Sequence, residues 1–136
     1  MKIDPELKTS ADIVTISSPK QINSVQKLPY FVGISNITAG AKGLSMNMVV
    51  IPPGASAEPH YHDEFETGIY LISGSVETFY GDDLQNSVIN KAGDFIFIPP
   101  DLYHQPINLS KTQEARAIIV RNSPHEKEAV LHQKPS

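Results

Sequence analysis

Cysteine is absent from the chain, which excludes disulfide bridges, thiolate metal sites and cysteine nucleophiles. An excess of basic residues is also lacking, because 11 lysines and arginines stand against 15 acidic residues and the formal net charge is −4. The basic residues are scattered along the chain, so the charge pattern offers no surface for a phosphate backbone and predicts no nucleic-acid partner. Any metal site must use nitrogen and oxygen ligands.

Long apolar runs are missing as well. The first ten residues carry Asp4, Pro5, Glu6 and two lysines, and this composition indicates neither a secretory signal nor a membrane span. We therefore expect a cytoplasmic protein with no membrane partner. The length of 136 residues and a hydrophobic content of 40% are typical of one folded domain with a substantial core.

The middle of the chain shows the rhythm of β-strands. Apolar runs of about four to eight residues, separated by Gly, Pro, Asn or Asp, predict strands rather than helices. The predicted strands are Tyr30–Thr38, Leu44–Ile51, a segment from His60, Ile69–Ile72, Val76–Tyr80, Leu84–Asn90, Phe95–Ile98, Tyr103–Asn108 and Ala115–Val120. Nine short strands indicate an all-β sandwich or barrel.

The two ends of the chain are expected to differ from this middle part. Residues 1–27 form a predicted N-terminal arm, in which 12–17 could add an edge strand. The barrel itself is predicted over 28–122. Ser123, Pro124 and Glu126 follow the pattern of a helix N-terminus, with Ser as the cap and Pro at the first helical position, so 123–136 is predicted to be a short helix and tail. This helix could serve as a dimer contact or as a lid on the barrel.

A pair of histidines is the first candidate for a metal-binding site. His60 and His62 stand two residues apart, so on a strand both imidazoles project to the same side. Glu66 keeps the same parity if the strand is unbroken. Two imidazoles and one carboxylate are the composition of a facial metal triad. An isolated histidine is more often a surface or satisfied core residue, so the pair alone is only suggestive.

A second, distant segment completes the pattern. The first segment supplies Gly54, His60, His62, Glu66 and Gly74, and the second supplies Gly93, Pro99, Asp101, His104 and Asn108. Together they resemble the two signature motifs of the cupin superfamily, in particular its small single-domain, type 2 (RmlC-like) members. The resemblance implies a double-stranded β-helix, a jelly-roll-like barrel, that holds one divalent metal ion. It assigns His60, His62, Glu66 and His104 as the metal ligands and gives Asn108 a structural role.

Two positions depart from the family motifs. Seven residues separate Glu66 from Gly74 where the family pattern has six, so a count back from Gly74 places Thr67 at the ligand position. A β-bulge around Thr67-Gly68 would reconcile the two counts, and Glu64 is the reserve ligand. Asp101 stands where the family has glycine, and Asp tolerates the required positive φ better than most residues.

The expected ligand set leaves the metal and its surroundings partly open. Octahedral Mn or Fe(II) would keep two positions for substrate and is favoured, while Zn, Ni and Cu also fit nitrogen and oxygen ligands. Glu64 is a candidate catalytic acid or base. The candidate substrate-binding residues are Met48, Tyr70, Phe97, Gln105 and Arg116. Simple barrel core is the favoured interpretation for Met46, Met48, Phe95 and Phe97.

The resemblance implies a function class rather than a reaction. The expectation is a metal-dependent cupin acting on a small oxygenated molecule, with dioxygenase, isomerase or decarboxylase chemistry. The alternative is a non-catalytic module that binds or senses a sugar or carboxylate, and a metal-free, epimerase-like barrel is a third possibility. A homodimer is expected, because the edges of short strands need to be covered.

Overall fold

The computed structural model describes residues 12–23 and 28–126, together with the backbone of 130–131. These residues form eleven strands and one short helix. The strands are β1 Lys20–Asn23, β2 Pro29–Ile34, β3 Ser45–Ile51, β4 Tyr61–His62, β5 Thr67–Ser73, β6 Ser75–Tyr80, β7 Asn86–Lys91, β8 Phe95–Ile98, β9 His104–Asn108, β10 Ala115–Arg121 and β11 Val130–Leu131, and the helix is α1 Asn36–Ala39. No helix in this part of the chain is long and apolar enough to cross a membrane.

The strands form antiparallel sheets arranged around one core. Six of them pair in the order β1-β2-β3-β10-β5-β8, and three pair in the order β7-β6-β9. Isolated bridges join Ser56 to Ile107 and His60 to His104, so the segment before β4 lies beside β9 and extends the smaller sheet. The strands β4 and β11 pair with each other. This architecture confirms the predicted all-β, jelly-roll-like fold.

Side-chain alternation places the core between the sheets. Along β10, Ala115, Ala117 and Ile119 are buried, whereas Arg116 and Val120 are exposed. Along β5 the two buried positions, Thr67 and Leu71, are four residues apart, as expected when one face of a strand packs inward. The apolar core contains Leu28, Tyr30, Val32, Val49, Ile51, Ala57, Leu71, Val76, Ala115, Ala117 and Ile119. The two sheets therefore enclose an aliphatic interior.

The predicted bulge lies elsewhere on β5. Thr67 and Gly68 pair regularly with Arg121 and Val120 of β10, and the register shifts only where the partners of Arg116 and Ala117 are Ser73 and Leu71. The extra residue of β5 is therefore Ile72, at the other end of the strand. A bulge at Ile72 does not change the face of β5 on which the Thr67 side chain lies, and this face contributes to the candidate site.

The N-terminal arm does contain an edge strand, but at β1 rather than at 12–17. Residues 12–17 form no strand, whereas Lys20–Asn23 pairs with β2 at the edge of the six-stranded sheet. The helix α1 replaces the end of the predicted strand 30–38. Ser35 caps it with Thr38 in a capping box, and Gly40 ends it in the left-handed conformation, as expected of these residue types. Residues 1–11 and 24–27 lie outside the described part of the arm.

The predicted C-terminal helix is absent from the described residues. Residues 123–126 have no helical structure, because their polar groups bond to the distant α1 region. The Pro124 carbonyl accepts the N–H of Asn36 at 2.7 Å, and the Ser35 hydroxyl donates to a Glu126 carboxylate oxygen at 3.0 Å. The chain returns as β11, whose Val130 pairs with His62. The remainder of the predicted helix, 127–129 and 132–136, lies outside the described residues.

Candidate metal centre

Three histidines from the two predicted segments meet inside the barrel. His62 lies in β4, His104 begins β9, and His60 precedes β4 opposite His104. The backbone N–H of His60 donates to the His104 carbonyl at 3.0 Å, and the reverse bond is 2.9 Å long. This reciprocal pair holds the two segments side by side. All three side chains are buried, with at most 4% of their surface exposed.

The spacing of the three rings suits one ion. The ring centroids of His60 and His104 are 4.3 Å apart, and those of His62 lie 5.1 Å and 5.0 Å from the other two. One nitrogen of each ring falls in a group whose members all lie within 4.8 Å of one another. Because imidazole nitrogens bind ions such as zinc at about 2.1 Å, three nitrogens at this separation can share one ion.

Hydrogen bonds at Nδ1 orient the imidazoles. His60 Nδ1 lies 2.6 Å from the Glu58 carbonyl oxygen and His104 Nδ1 lies 2.8 Å from that of Leu102. A carbonyl can only accept, so in both rings Nδ1 carries the proton and the lone pair is on Nε2. His62 Nδ1 lies 2.9 Å from the Thr67 hydroxyl. In metal sites, a hydrogen bond at the ring nitrogen that does not bind the metal fixes the orientation and the tautomer of the histidine.

Burial keeps the imidazoles of His62 and His104 neutral. It lowers the pKa of His104 to about 3, and the neighbouring His60 and His62 add to the effect. Burial lowers the pKa of His62 to about 4, with a further contribution from the positive charge of Arg121. A neutral imidazole with a free lone pair is the form that binds a metal. The residues present therefore fit a divalent ion.

The histidines face an apolar cavity between the two sheets. Its volume is about 70 Å³, and its walls are mostly aliphatic side chains of β3, β5, β8 and β10. Besides the histidines, the polar residues that line it are Thr67 and Thr78. A water needs roughly 10–15 Å³ of such space, so the cavity has room for an ion and a ligand of a few heavy atoms.

Comparison with known families identifies the fold. A family model described as "Cupin domain" matches residues 47–121, which is more than half of the chain. The chain belongs to the cupin family. The matched range begins in β3 and ends with β10, so it includes all three histidines of this cupin.

Individual relatives agree with that assignment. Oxalate oxidase GF-3.8 of Triticum aestivum is 36% identical over 89 residues, which are 60% of this cupin and 38% of the wheat protein. The chain thus spans about two fifths of the length of this curated relative. A solved structure of Bacillus subtilis oxalate decarboxylase, studied for its Mn(II) centres, superposes with a TM-score of 0.68 at 20% identity and covers 85% of this cupin and 30% of that chain.

A third neighbour is similar over nearly the whole chain. Peruvianin-I from Thevetia peruviana latex, described as a cysteine peptidase, has a TM-score of 0.74 at 21% identity, covering 98% of this cupin and 85% of that chain. At such identity the likeness shows the fold alone. The present chain has no cysteine, so a cysteine nucleophile is excluded here.

The acidic residue expected beside the histidines is not there, which corrects the assignment of Glu66. Its side chain is exposed, and its backbone N–H donates to the Asn122 side chain at 2.8 Å. The parity argument fails because residues 63–66 form no strand between β4 and β5, and Glu64 has a φ of 69°. Thr67 is completely buried instead. The reserve candidate, Glu64, is exposed and lies outside the cavity.

The five candidate substrate-binding residues also lie outside the cavity. Met48, Tyr70, Phe97, Gln105 and Arg116 are absent from its lining. The cavity is lined instead by their immediate neighbours, such as Ile69, Ile98 and Ala117, because adjacent residues of a strand face opposite ways. Core packing is likewise wrong for Phe95 and Phe97, which are 84% and 60% exposed. Gln105 donates to the Ala57 carbonyl, and Arg116 pairs with Glu114.

Two predicted backbone roles are in place. Asp101 has a φ of 64°, as its position in the glycine-bearing motif required, and its carboxylate accepts the N–H of Glu64 at 3.1 Å. Asn108 is buried, and its side-chain amide donates to the carbonyls of Ile51, Pro52 and Gln113. Asn108 thus joins the end of β9 to two loops and has the structural role expected of it.

Two neighbours of the site went unrecognised in the sequence. Phe65 stacks on His62, with centroids 5.3 Å apart and an interplanar angle of 14°. Arg121 is 1% exposed, and its guanidinium carbon lies 5.7 Å from the Phe65 centroid and 6.0 Å from that of Tyr30. Arg121 shares the inward parity of Ala117 and Ile119, so the alternation along β10 was the signal that could have found it.

Proposed function

We propose that this cupin binds one divalent metal ion through His60, His62 and His104 and holds a small carboxylate-bearing molecule next to it. The observation that carries this proposal is the convergence of three buried imidazoles whose Nδ1 atoms all have a hydrogen-bond partner. The names of two relatives support the ligand class, since the wheat oxidase and the bacterial decarboxylase both act on oxalate. The small cavity suits a molecule of that size.

The protein contributes orientation and exclusion of water. The Glu58 and Leu102 carbonyls and the Thr67 hydroxyl hold the three rings, and the aliphatic walls keep the site dry, which strengthens electrostatic interactions inside it. A bound divalent metal would supply Lewis-acid polarisation of a carboxylate oxygen or a site for oxygen binding. Manganese is our preferred ion, because the bacterial neighbour is described with Mn(II) centres, and Fe(II) suits the same nitrogen ligands.

Capture of a carboxylate without turnover is the second candidate function. Among the described residues, no Asp, Glu or Lys lines the cavity, so no side chain other than the histidines is placed for general acid or base catalysis. Glu64 is therefore withdrawn as the catalytic acid or base. Decarboxylase or oxidase chemistry would have to depend on the metal itself, whereas a sensor would need only binding.

Metal content and turnover test the proposal together. Protein refolded or expressed with Mn²⁺ should retain about one equivalent by elemental analysis, and His62→Ala should retain almost none because a ligand is lost. His125→Ala is the matched control, since His125 is exposed and lies outside the histidine group. Loss of oxalate with release of CO₂, formate or H₂O₂ would favour the enzyme, and saturable oxalate binding without product would favour the sensor. Metal content unchanged in His62→Ala would contradict the ligand assignment.

A homodimer is proposed from the outer face of the large sheet. Exposed apolar side chains there include Met46, Tyr70, Ile72, Phe95, Phe97 and Val120. In the described residues β8 is an edge strand with one neighbour, β5. A second copy can cover this face about a two-fold axis, because the same patch then meets itself. The cytoplasmic location stays a prediction.

A further inference from the structure

We infer that the metal site of this cupin lacks an acidic ligand of its own, so that the metal ion and an external carboxylate bind cooperatively. Thr67 occupies the place where the sequence pattern led us to expect a carboxylate. This inference rests on the proposed function, since it presumes that the three histidines hold a metal. Titration of Mn²⁺ with and without a carboxylate distinguishes the failure of this inference from the failure of that proposal.

The position of Thr67 is set by regular strand pairing. Thr67 is the first residue of β5 and pairs with Arg121 of β10 and with Ile98 of β8. Its side chain is fully buried, lines the cavity and contacts His62 Nδ1. Because Thr67 is paired with strands on both sides, turning the adjacent Glu66 into the cavity would break that pairing.

None of the acidic residues that directly follow the histidine pair is buried. Asp63, Glu64 and Glu66 are all exposed. The group of metal-ligating atoms found in the described part of the chain consists of the three histidines, with no carboxylate among them. A metal held here would therefore be bound by three neutral nitrogens from these residues.

The net charge of the site is the reason to expect cooperative binding. Three neutral imidazoles leave the full charge of a divalent ion in an apolar cavity, and an uncompensated buried charge is costly. Arg121 adds to it, because this buried arginine pairs with Thr67 across β10 and β5 and lies 5.7 Å from the ring of Phe65, which stacks on His62. A bound carboxylate anion compensates the positive charge of the metal ion and that of Arg121. Each of the two ligands therefore raises the affinity for the other, and by thermodynamic linkage the factor is the same in both directions.

Thr67 also acts as a positioning residue. Its hydroxyl contacts His62 Nδ1, and its side chain lines the cavity without bringing a charge. A carboxylate side chain at this position would supply the missing negative charge. The substitution Thr67→Glu therefore tests whether a carboxylate at this position replaces the external one.

The primary test uses the unmodified protein. Mn²⁺ is titrated into metal-free protein by isothermal calorimetry, with and without acetate, which is a carboxylate that chelates the free ion weakly. We expect acetate to tighten the Mn²⁺ dissociation constant by about tenfold, within the usual range of couplings between two ligands. An unchanged dissociation constant would overturn the inference while leaving the metal site intact. No Mn²⁺ binding under either condition would instead overturn the proposed function.

Two variants identify the cause of the coupling. Thr67→Glu should bind Mn²⁺ with little further gain from acetate, because the site then has its own carboxylate. Thr67→Val matches the size of threonine without charge, so the effect of acetate should persist even though Mn²⁺ binding weakens. If Thr67→Glu fails to fold, as judged by circular dichroism, the shorter Thr67→Asp takes its place. An acetate effect of equal size in the acidic and valine variants would contradict the role given to Thr67.

Discussion

At the scale of single residues, the histidines are held neutral by their surroundings. Burial is the main cause of the low pKa of both His62 and His104, about 4 and about 3 respectively. In the unfolded chain the same groups titrate near 6.5. Below that value the unfolded chain takes up protons that the folded protein does not, so acid favours unfolding.

The metal-free protein should therefore lose stability as the pH falls from about 6.5 towards 4. Each group contributes on the order of 3 kcal/mol over that interval, since one pKa unit corresponds to about 1.4 kcal/mol. Urea unfolding in the presence of a chelator at a series of pH values measures the decline. The variant His62→Gln should show a shallower decline than the unmodified protein. A stability that is flat from pH 7 to pH 4.5 would contradict the burial of neutral histidines.

At the scale of elements, the tight connection between β5 and β6 depends on Gly74. This residue has a φ of 93°, and a Cβ built on it would lie 2.8 Å from the Cβ of Ala115 on β10. Both observations demand glycine, because positive φ is strained for other residues and the neighbouring strand leaves no room. The turn also supplies a carbonyl to the loop before β8, since the Gly74 carbonyl accepts the N–H of Ala92.

Substitution of Gly74 by alanine should destabilise the protein by about 2 kcal/mol or more, from backbone strain and the clash with Ala115. The comparison is Gly43→Ala, because a Cβ at Gly43 meets nothing within 4 Å and its φ is not positive. Denaturant midpoints of the two variants give the difference. Equal midpoints would show that the β5–β6 connection relaxes without cost.

At the scale of the whole molecule, the two faces of the large sheet have opposite roles. The inner face lines the cavity, and the outer face exposes Tyr70, Phe95 and Phe97, the first two with ring centroids 4.8 Å apart. A patch of aromatic side chains on an edge strand is typical of an interface rather than of a solvated surface. Tyr70 and Phe97, which the sequence suggested as substrate contacts, belong to this exposed patch.

Phe97→Asp should convert the proposed dimer to a monomer by placing a charge in the covered face. Sedimentation velocity over a range of protein concentrations measures the change. Ile89→Asp is the matched control, because Ile89 is also more than half exposed but lies on β7 of the smaller sheet. A monomeric unmodified protein, or a dimer that persists in Phe97→Asp, would contradict this interface.

Local pattern was sufficient for much of the fold and part of the site. The rhythm of short apolar runs and turn residues predicted nine strands that correspond to β2–β10, with bounds that mostly agree within two residues. The spacing of His60 and His62 placed two imidazoles on one side, and the resemblance to the cupin motifs added the distant His104; the three meet in the structure. Asp101 was correctly predicted to have a positive φ. The strands and the Asp101 turn depend on neighbours in sequence, so the sequence alone determined them.

The tertiary structure decided what faces inward. Side chains alternate between the two faces of a sheet only within an unbroken strand. The irregular residues 63–66 interrupt this alternation, so that Thr67 rather than Glu66 lies beside His62. The burial of Arg121 depends on rings from β2 and from the loop before β5. In the described part of the C-terminal segment, residues 123–126 form hydrogen bonds with the α1 region in place of the predicted start of a helix. For Arg121 and for residues 123–126 the deciding partner is remote in sequence, and its contribution outweighs the local preference.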